Sequence, residues 1–247
     1  MTRVVASIEA RMGSSRLPGK VLMDIEGKPA LTRLLERLQR CQRVDEIVLA
    51  TTDNDTDDVL ADWAGNNNVC CYRGSEKDVL NRVVCAHRET KSDIVIEVTG
   101  DCPLLDPEVI DMGVDTFFSN NCDVVNNLVK LSFPQGIDLQ IFSLSLLEDV
   151  EKKIDDPAVR EHVSLYFYEN PEKYNLLTLI APQRWYGPKL RFQLDYQEDL
   201  EFIRTVYKSM IEKYNDANFG LEEIMNLLKS HPDLSKINAH CKEKSAR

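Results

Sequence analysis

VVASIEARMGSSRLPGK (residues 4–20) decides the fold. The apolar run VVASI (4–8) suits a buried strand. Behind it, EARMGSSRLPGK (9–20) holds two glycines, two serines, a proline and three cationic side chains, Arg11, Arg16 and Lys20. A strand running into a Gly/Ser-rich turn can aim several backbone N–H groups at one anion. Gly13 removes side-chain bulk at the approach, with Ser14 and Ser15 beside it, and arginine can fork two hydrogen bonds onto phosphate oxygens. The stretch matches neither GxxxxGK[ST] nor GxGxxG. Composition alone leaves it open between a basic surface turn and an anion cradle.

Outward from this stretch, strand and helix patterns alternate. Residues 28–41 place Leu31, Leu34, Leu35, Leu38 and Cys41 at helical spacing. EIVLATT (46–52), VCCYRG (69–74) and DIVIEVTGD (93–101) read as further strands, with helices over VLADWAG and 77–89 between them. Asp106 before Pro107 reads as the N-cap of a helix over 107–118. A fifth strand is expected at 123–128. Such alternation predicts an α/β fold, a mostly parallel Rossmann-like sheet with helices on both faces, which takes ligands beyond the carboxyl ends of its strands. Three unusual polar tips fall at those ends: 9–20, 73–75 and 99–106.

The second half is less regular. KLSFPQGIDLQIFS (130–143) predicts two strands around a Pro-Gly turn, a small β extension at about 128–143. Helices are expected at 144–153, 157–169, 197–214 and 220–230, and strands at 175–181 and 189–195. Residues 1–235 are expected to form one domain, with 236–247 a frayed tail.

The 247 residues carry a net charge of −11, which argues against sequence-independent binding to nucleic acid. Residues 1–43 nonetheless hold nine Lys/Arg against four Asp/Glu, which suggests a small anionic ligand bound locally. No apolar stretch is long enough to span a membrane, and the N-terminus has no signal-peptide pattern. Seven irregularly spaced cysteines without paired CxxC point to reduced thiols and a cytoplasmic setting rather than disulfides or zinc.

Two aspartates stand at predicted strand ends. Asp101 in TGDCPLLD either holds Mg²⁺ against phosphates or caps a turn; Asp195 in RFQLDYQEDLE is the second candidate. Glu198 and Asp199 read as first-turn charges that favour the helix dipole. His162 reads as a packed structural histidine.

EARMGSSRLPGKVL, ATT, RGSEKDVLNR, TGDCPLLDP, PQGIDLQIF, REHVSLYFYENPEKY and RFQLDYQEDLEFI together resemble the SpsF-like cytidylyltransferase family, related to the CMP-sialate and CMP-Kdo synthetases. The resemblance spans about residues 3–205 and implies a nucleotide-diphospho-sugar transferase fold. It implies CTP and Mg²⁺, transfer of CMP to an acidic sugar or related acceptor, release of pyrophosphate, and a homodimer. Carried over residue by residue, Arg11, Gly13, Ser14, Ser15, Arg16 and Lys20 would cradle the triphosphate, with Arg16 and Lys20 acting on the leaving pyrophosphate. Asp101 and Asp195 would hold the metal. Tyr196 and Gln197 depart from the family's small residue and proline after the second aspartate, but leave Asp195 in register. Arg73, Gly74, Ser75, Asn81 and Arg82 would form the base and ribose pocket. Gln135, Asp138, Arg160 and Glu161 would face the acceptor, with Arg160 pairing an acceptor carboxylate or phosphate. Another NTP, or nucleotide binding without catalysis, are the competing readings.

Overall fold

The computed structural model describes residues 2–243. Chain order is β1 (Val4–Glu9), β2 (Asp24–Ile25), β3 (Lys28–Pro29), α1 (Ala30–Leu38), β4 (Glu46–Thr52), α2 (Asp58–Asn66), β5 (Cys70–Gly74), α3 (Val79–Glu89), β6 (Ile94–Thr99) and α4 (Pro107–Ser119). Then follow β7 (Val124–Asn126), β8 (Gln140–Ser143), α5 (Leu144–Lys153), α6 (Pro157–Glu161), α7 (Leu165–Glu169), β9 (Leu176–Thr178), α8 (Gln197–Tyr214) and α9 (Leu221–Ser230).

Seven strands form one sheet in the order β5-β4-β1-β6-β8-β7-β9. Only β8 runs against its neighbours; the other pairings are parallel. Central strands are buried on both faces, which is why they read as near-continuous apolar runs. Alternation sends Ala6, Ile8, Leu49 and Ile96 to one face, against Leu31, Leu34, Trp63 and Ile110 of α1, α2 and α4. Val5, Val48, Val95 and Phe142 face the other way, against Leu80 and Val83 of α3, Leu147 of α5 and Phe167 of α7. A third cluster, built from α8, α9, Phe133, Ile137 and the 192–194 segment, closes the structure beyond the sheet. No helix among the described residues is long and apolar enough to cross a membrane.

Several segments depart from the sequence reading. The small antiparallel ribbon is β2–β3, not residues 130–143. Of the latter only Gln140–Ser143 pair, and they do so inside the main sheet. Residues 127–139 form a wide loop that Asn127 holds shut, donating its amide to the Ile137 carbonyl at 2.6 Å and accepting from the Leu139 N–H at 2.9 Å. Gly136, with φ +90°, is required there: a Cβ would sit 2.6 Å from the Gln193 nitrogen. Residues 189–195 are extended, but make only the isolated bridge Gln135–Arg191. The helix expected over 157–169 breaks between α6 and α7, where the Ser164 hydroxyl turns to donate to the Gln140 side chain. The expected frayed tail is anchored at Asn238, which is buried and donates to the Asp199 carboxylate at 2.8 Å. Residues 244–247 lie outside the described residues.

Candidate active site

The 10–20 loop leaves β1 and folds back on itself. The Met12 carbonyl accepts from the N–H groups of Ser14 and Gly19, both at 3.0 Å, while the Met12 N–H donates to Asp57 at 2.8 Å. This turn sends Arg16 and Lys20 inward. The Lys20 ammonium donates to Asp101 Oδ2 at 2.5 Å and to Asp195 Oδ1 at 2.7 Å, and Arg16 Nη2 reaches the same Asp195 oxygen at 2.7 Å. The loop and two distant aspartates, Asp101 just beyond β6 and Asp195 just before α8, therefore converge at one point.

Gly100 sets the approach of Asp101. Its N–H donates to the Glu9 carbonyl at 2.8 Å, and a Cβ there would lie 2.9 Å from the Ala10 Cβ. Asp195 is fully buried, and Arg191 Nη2 donates to its second oxygen at 2.7 Å. Asp199 holds Arg191 Nε at 3.0 Å and accepts from the backbone N–H groups of Asp195 and Tyr196, each at 3.0 Å. Burial alone would lift Asp101, but the Lys20 charge and hydrogen bond outweigh it and hold the carboxyl below its ordinary value. Burial opposes the Lys20 ammonium, and the two carboxylates outweigh that and raise it. Asp101 and Lys20 both stay ionised, as buried charges must when paired and hydrogen-bonded.

The pair suits a hard cation. Magnesium takes one or two carboxylates together with phosphate oxygens and waters. Asp101 Oδ1 is not tied up by any ion pair and takes a weak Cys102 thiol contact at 3.6 Å, and both aspartates already share one positive charge across a short gap. Burial and the neighbouring Asp101 push the Cys102 thiol well up, so it stays protonated and offers no thiolate.

A cleft of about 450 Å³ opens beside this cluster. Arg11, Ser14, Ser15, Arg16, Lys20 and Arg82 line one half of it. Arg11 donates to Glu76 at 2.9 Å, and a Cβ on Gly13 would come no closer than 3.4 Å to any neighbour, so the space there is open. The rest of the expected base and ribose pocket is turned away. Arg73 donates to the Thr52 and Asn54 carbonyls and to Asp58, and Asn81 donates to Glu151 at 3.1 Å. The Ser75 hydroxyl accepts from the Lys77 and Asp78 N–H groups, and Gly74 packs on Tyr72 and Arg82. Only Arg82 of that set reaches the cleft, its Nη1 donating to the Ser75 carbonyl at 2.6 Å.

The acceptor set divides too. Asp138 and Glu161 line the cleft. Gln135 is instead tied to Arg191 Nη1 at 2.9 Å. Arg160 is consumed by Asp78, Asp155 and the Glu151 carbonyl outside the cleft, so it has no free donor face for an acceptor anion. His162, read as a packed structural residue, is exposed and lines the cleft.

Sequence reasoning passed over the other half of the cleft. Register pairs Ser7 with Glu97, Glu9 with Thr99 and Glu97 with Gln140. With side chains alternating, one sheet face that begins with Val5, Val95 and Phe142 turns to Glu9, Glu97, Thr99 and Gln140 toward the carboxyl ends of β1 and β6. Tyr168 donates to Gln140 at 2.8 Å. Burial pushes Glu97 up to about 7, partly offset by Ser164 and Gln140, and pushes Asp138 up to about 7. Glu9 is raised well above its ordinary value, by burial first and by Glu97 next. The signal was a glutamate at the same face of adjacent strands. The Arg191-x3-Asp195-x3-Asp199 spacing was likewise legible and went unused.

Known proteins match this geometry. The family profile for cytidylyltransferases spans residues 5–227. The spore coat polysaccharide biosynthesis protein SpsF of Bacillus subtilis is 33% identical over 94% of this chain and 97% of its own length. A cytidylyltransferase structure from Leptospira borgpetersenii serovar Hardjo-bovis superposes with a TM-score of 0.89 at 31% identity, covering 99% of this chain and 100% of that one. CMP:2-keto-3-deoxy-manno-octonic acid synthetase, solved in complex with CTP, shares the fold at a TM-score of 0.61 and 19% identity, over 84% of this chain and 99% of that one. A family profile covering nearly the whole sheet, with a close full-length relative, settles membership: this chain belongs to the cytidylyltransferase family and is a nucleotidyltransferase.

Proposed function

We propose that the chain transfers CMP from CTP, with Mg²⁺ bound, to a hydroxyl of a sugar acid or related small acceptor, releasing pyrophosphate for surface polysaccharide or glycoconjugate synthesis. The observation that carries this is the Lys20 ammonium set between Asp101 and Asp195 at the foot of the 10–20 loop. Cations this well placed for a triphosphate, beside carboxylates suited to a metal, match the two demands of nucleotidyl transfer: orientation, and stabilisation of developing charge.

The acceptor oxygen attacks the α-phosphorus, the bond to the terminal diphosphate breaks, and the acceptor proton passes to solvent. Lys20 and Arg16 face the phosphates and neutralise the charge that grows on the leaving diphosphate. Asp101 and Asp195 would hold a magnesium ion, which would supply Lewis-acid polarisation of the phosphate oxygens. Arg191 and Asp199 keep the Asp195 carboxylate from rotating, since both its oxygens are already engaged. With the Ser14 N–H spent on Met12, the loop N–H groups of Gly13, Ser15 and Arg16 provide donors to the anion.

The test is release of pyrophosphate from CTP in the presence of magnesium, with UTP, GTP and ATP in parallel. Asp101→Asn is expected to lower turnover by about 100-fold or more while leaving the melting curve cooperative. Undiminished turnover in that variant removes Asp101 from the mechanism.

A further inference from the structure

The two ends of the cleft differ in sign. Against the cations of the 10–20 loop, the cleft is also lined by four carboxyl groups, Glu9, Glu97, Asp138 and Glu161. Glu97 is 5% exposed, and its Oε2 has no hydrogen-bond partner among the described residues; neither has Glu9 Oε1. A buried carboxyl oxygen left without a donor costs free energy that a ligand bringing a donor would recover. The nearest cation, Arg82, is buried with one nitrogen committed to the Ser75 carbonyl. Arg160, the side chain otherwise suited to an acceptor anion, points elsewhere.

Around the two glutamates stand further acceptor and hydroxyl groups. Gln140 Oε1 takes hydrogen bonds from Ser164 and Tyr168, and the Gln140 and Ser164 side chains also bond to Glu97, so the open acceptor in this group is the remaining Glu97 oxygen. Asp138 sits across the cleft on the 127–139 loop, its Oδ1 accepting only from the Gly136 N–H at 3.2 Å. A carboxylate or phosphate entering here would meet four carboxyl groups. A protonated amine would meet complementary charge, and hydroxyls flanking it would find Asp138.

We infer that the Glu9–Glu97 pair, each with one oxygen unpartnered, receives a protonated amino group on the acceptor, so that the acceptor is an amino-bearing sugar, sugar acid or polyol held by its amine at the end distal to the reacting oxygen. This rests on the nucleotidyl-transfer reading only for the identity of the bound molecule as the acceptor. Glu9 and Glu97 are then specificity-determining residues: they contact the amine and are not among the Lys20–Asp101–Asp195 ion pairs. The Glu97 carboxyl, pushed up by burial, is driven to ionise when the ammonium arrives beside it.

The probes are glucamine and glucitol, a matched pair differing by one amine for one hydroxyl. Each is titrated by calorimetry into the protein with CTP bound. CTP binding is measured first on the same sample. Its failure counts against nucleotidyl transfer, and the polyols are then titrated into the free protein, so the two claims fail separately. Glucamine is expected to bind at least about tenfold more tightly than glucitol, as a hydrogen bond to a charged group allows. In Glu97→Gln, and independently in Glu9→Gln, that ratio is expected to fall below about threefold. Equal affinity for the two probes, a preference that survives both substitutions, or no binding of glucamine at millimolar concentration overturns the inference.

Discussion

The two halves of the cleft are built from the same strand ends but solve opposite electrostatic problems. In the cationic half, the central charges are paired: Lys20 bridges Asp101 and Asp195, and Arg191 closes the ring from behind. In the carboxyl half, Glu97 is just as buried, yet one of its oxygens is left without a donor. The first half is a self-neutralising cluster, ready to trade carboxylate contacts for phosphate contacts. The second stores an unmet demand for hydrogen-bond donors. Pairing stabilises the fold, and its absence marks where a ligand completes the structure.

The sharpest way to break this comparison is to unpair the first half. Lys20→Met leaves two buried carboxylates facing each other. It is expected to cost about 3–5 kcal/mol in urea unfolding, because an uncompensated buried charge remains, and to lower pyrophosphate release by about 100-fold. A stability loss below about 1 kcal/mol, the worth of a surface pair, would show that the cluster is not the paired core described here.

The halves should also respond to pH with opposite sign. Asp101 is held below its ordinary value, so its contribution is present above the ordinary aspartate range and is lost as pH falls through its folded value. Glu97 and Asp138 are raised to about 7, so their neutral forms support the fold. That support is complete below about pH 4 and is lost as pH rises through about 7. Glu97→Gln, which cannot ionise, is therefore expected to gain on wild type between about pH 5 and 8, by roughly 2–3 kcal/mol at the upper end. Denaturation curves across that range read it directly; parallel pH profiles for the two proteins would contradict the assignment.

The smallest effect concerns Arg160. It lies outside the cleft among Asp78, Glu151 and Asp155. Arg160→Ala is expected to change the KM for any acceptor by less than about twofold, while lowering stability by about 1 kcal/mol through the lost network. A large KM effect with unchanged kcat would restore it as an acceptor ligand.

How much of this was legible follows from the range of the interactions. The strand–loop–helix rhythm of the first half is written in local periodicity, and so are the Asp106 cap and the polar strand tips. Arg16, Lys20 and Asp101 were readable because each sits beyond a strand end or in a Gly/Ser turn that faces the crevice, and Asp195 because an extended segment leads into a helix there, though no strand forms. The 130–143 segment misled because Pro134 and Gly136 do make a turn, but one that packs on Gln193 rather than between paired strands. Arg73, Asn81 and Arg160 carry the right chemistry, yet Asp58, Glu151 and Asp78 claim them, and no local pattern names those partners. Asp199 looked like a dipole charge on a helix start. Its burial depends on Arg191 and Asn238, the latter 39 residues further along the chain.

The central claim is that the 10–20 loop presents its charges to a nucleoside triphosphate. Calorimetric titration of CTP with magnesium into wild type and Arg16→Ala tests it most directly. Arg16 is half-exposed and touches Asp195 through a single nitrogen, so the substitution leaves Lys20 to hold the fold together. CTP is expected to bind wild type and to lose about tenfold or more in affinity on Arg16→Ala, as removal of a charge-assisted phosphate contact requires. Equal affinity for the two proteins would contradict the account.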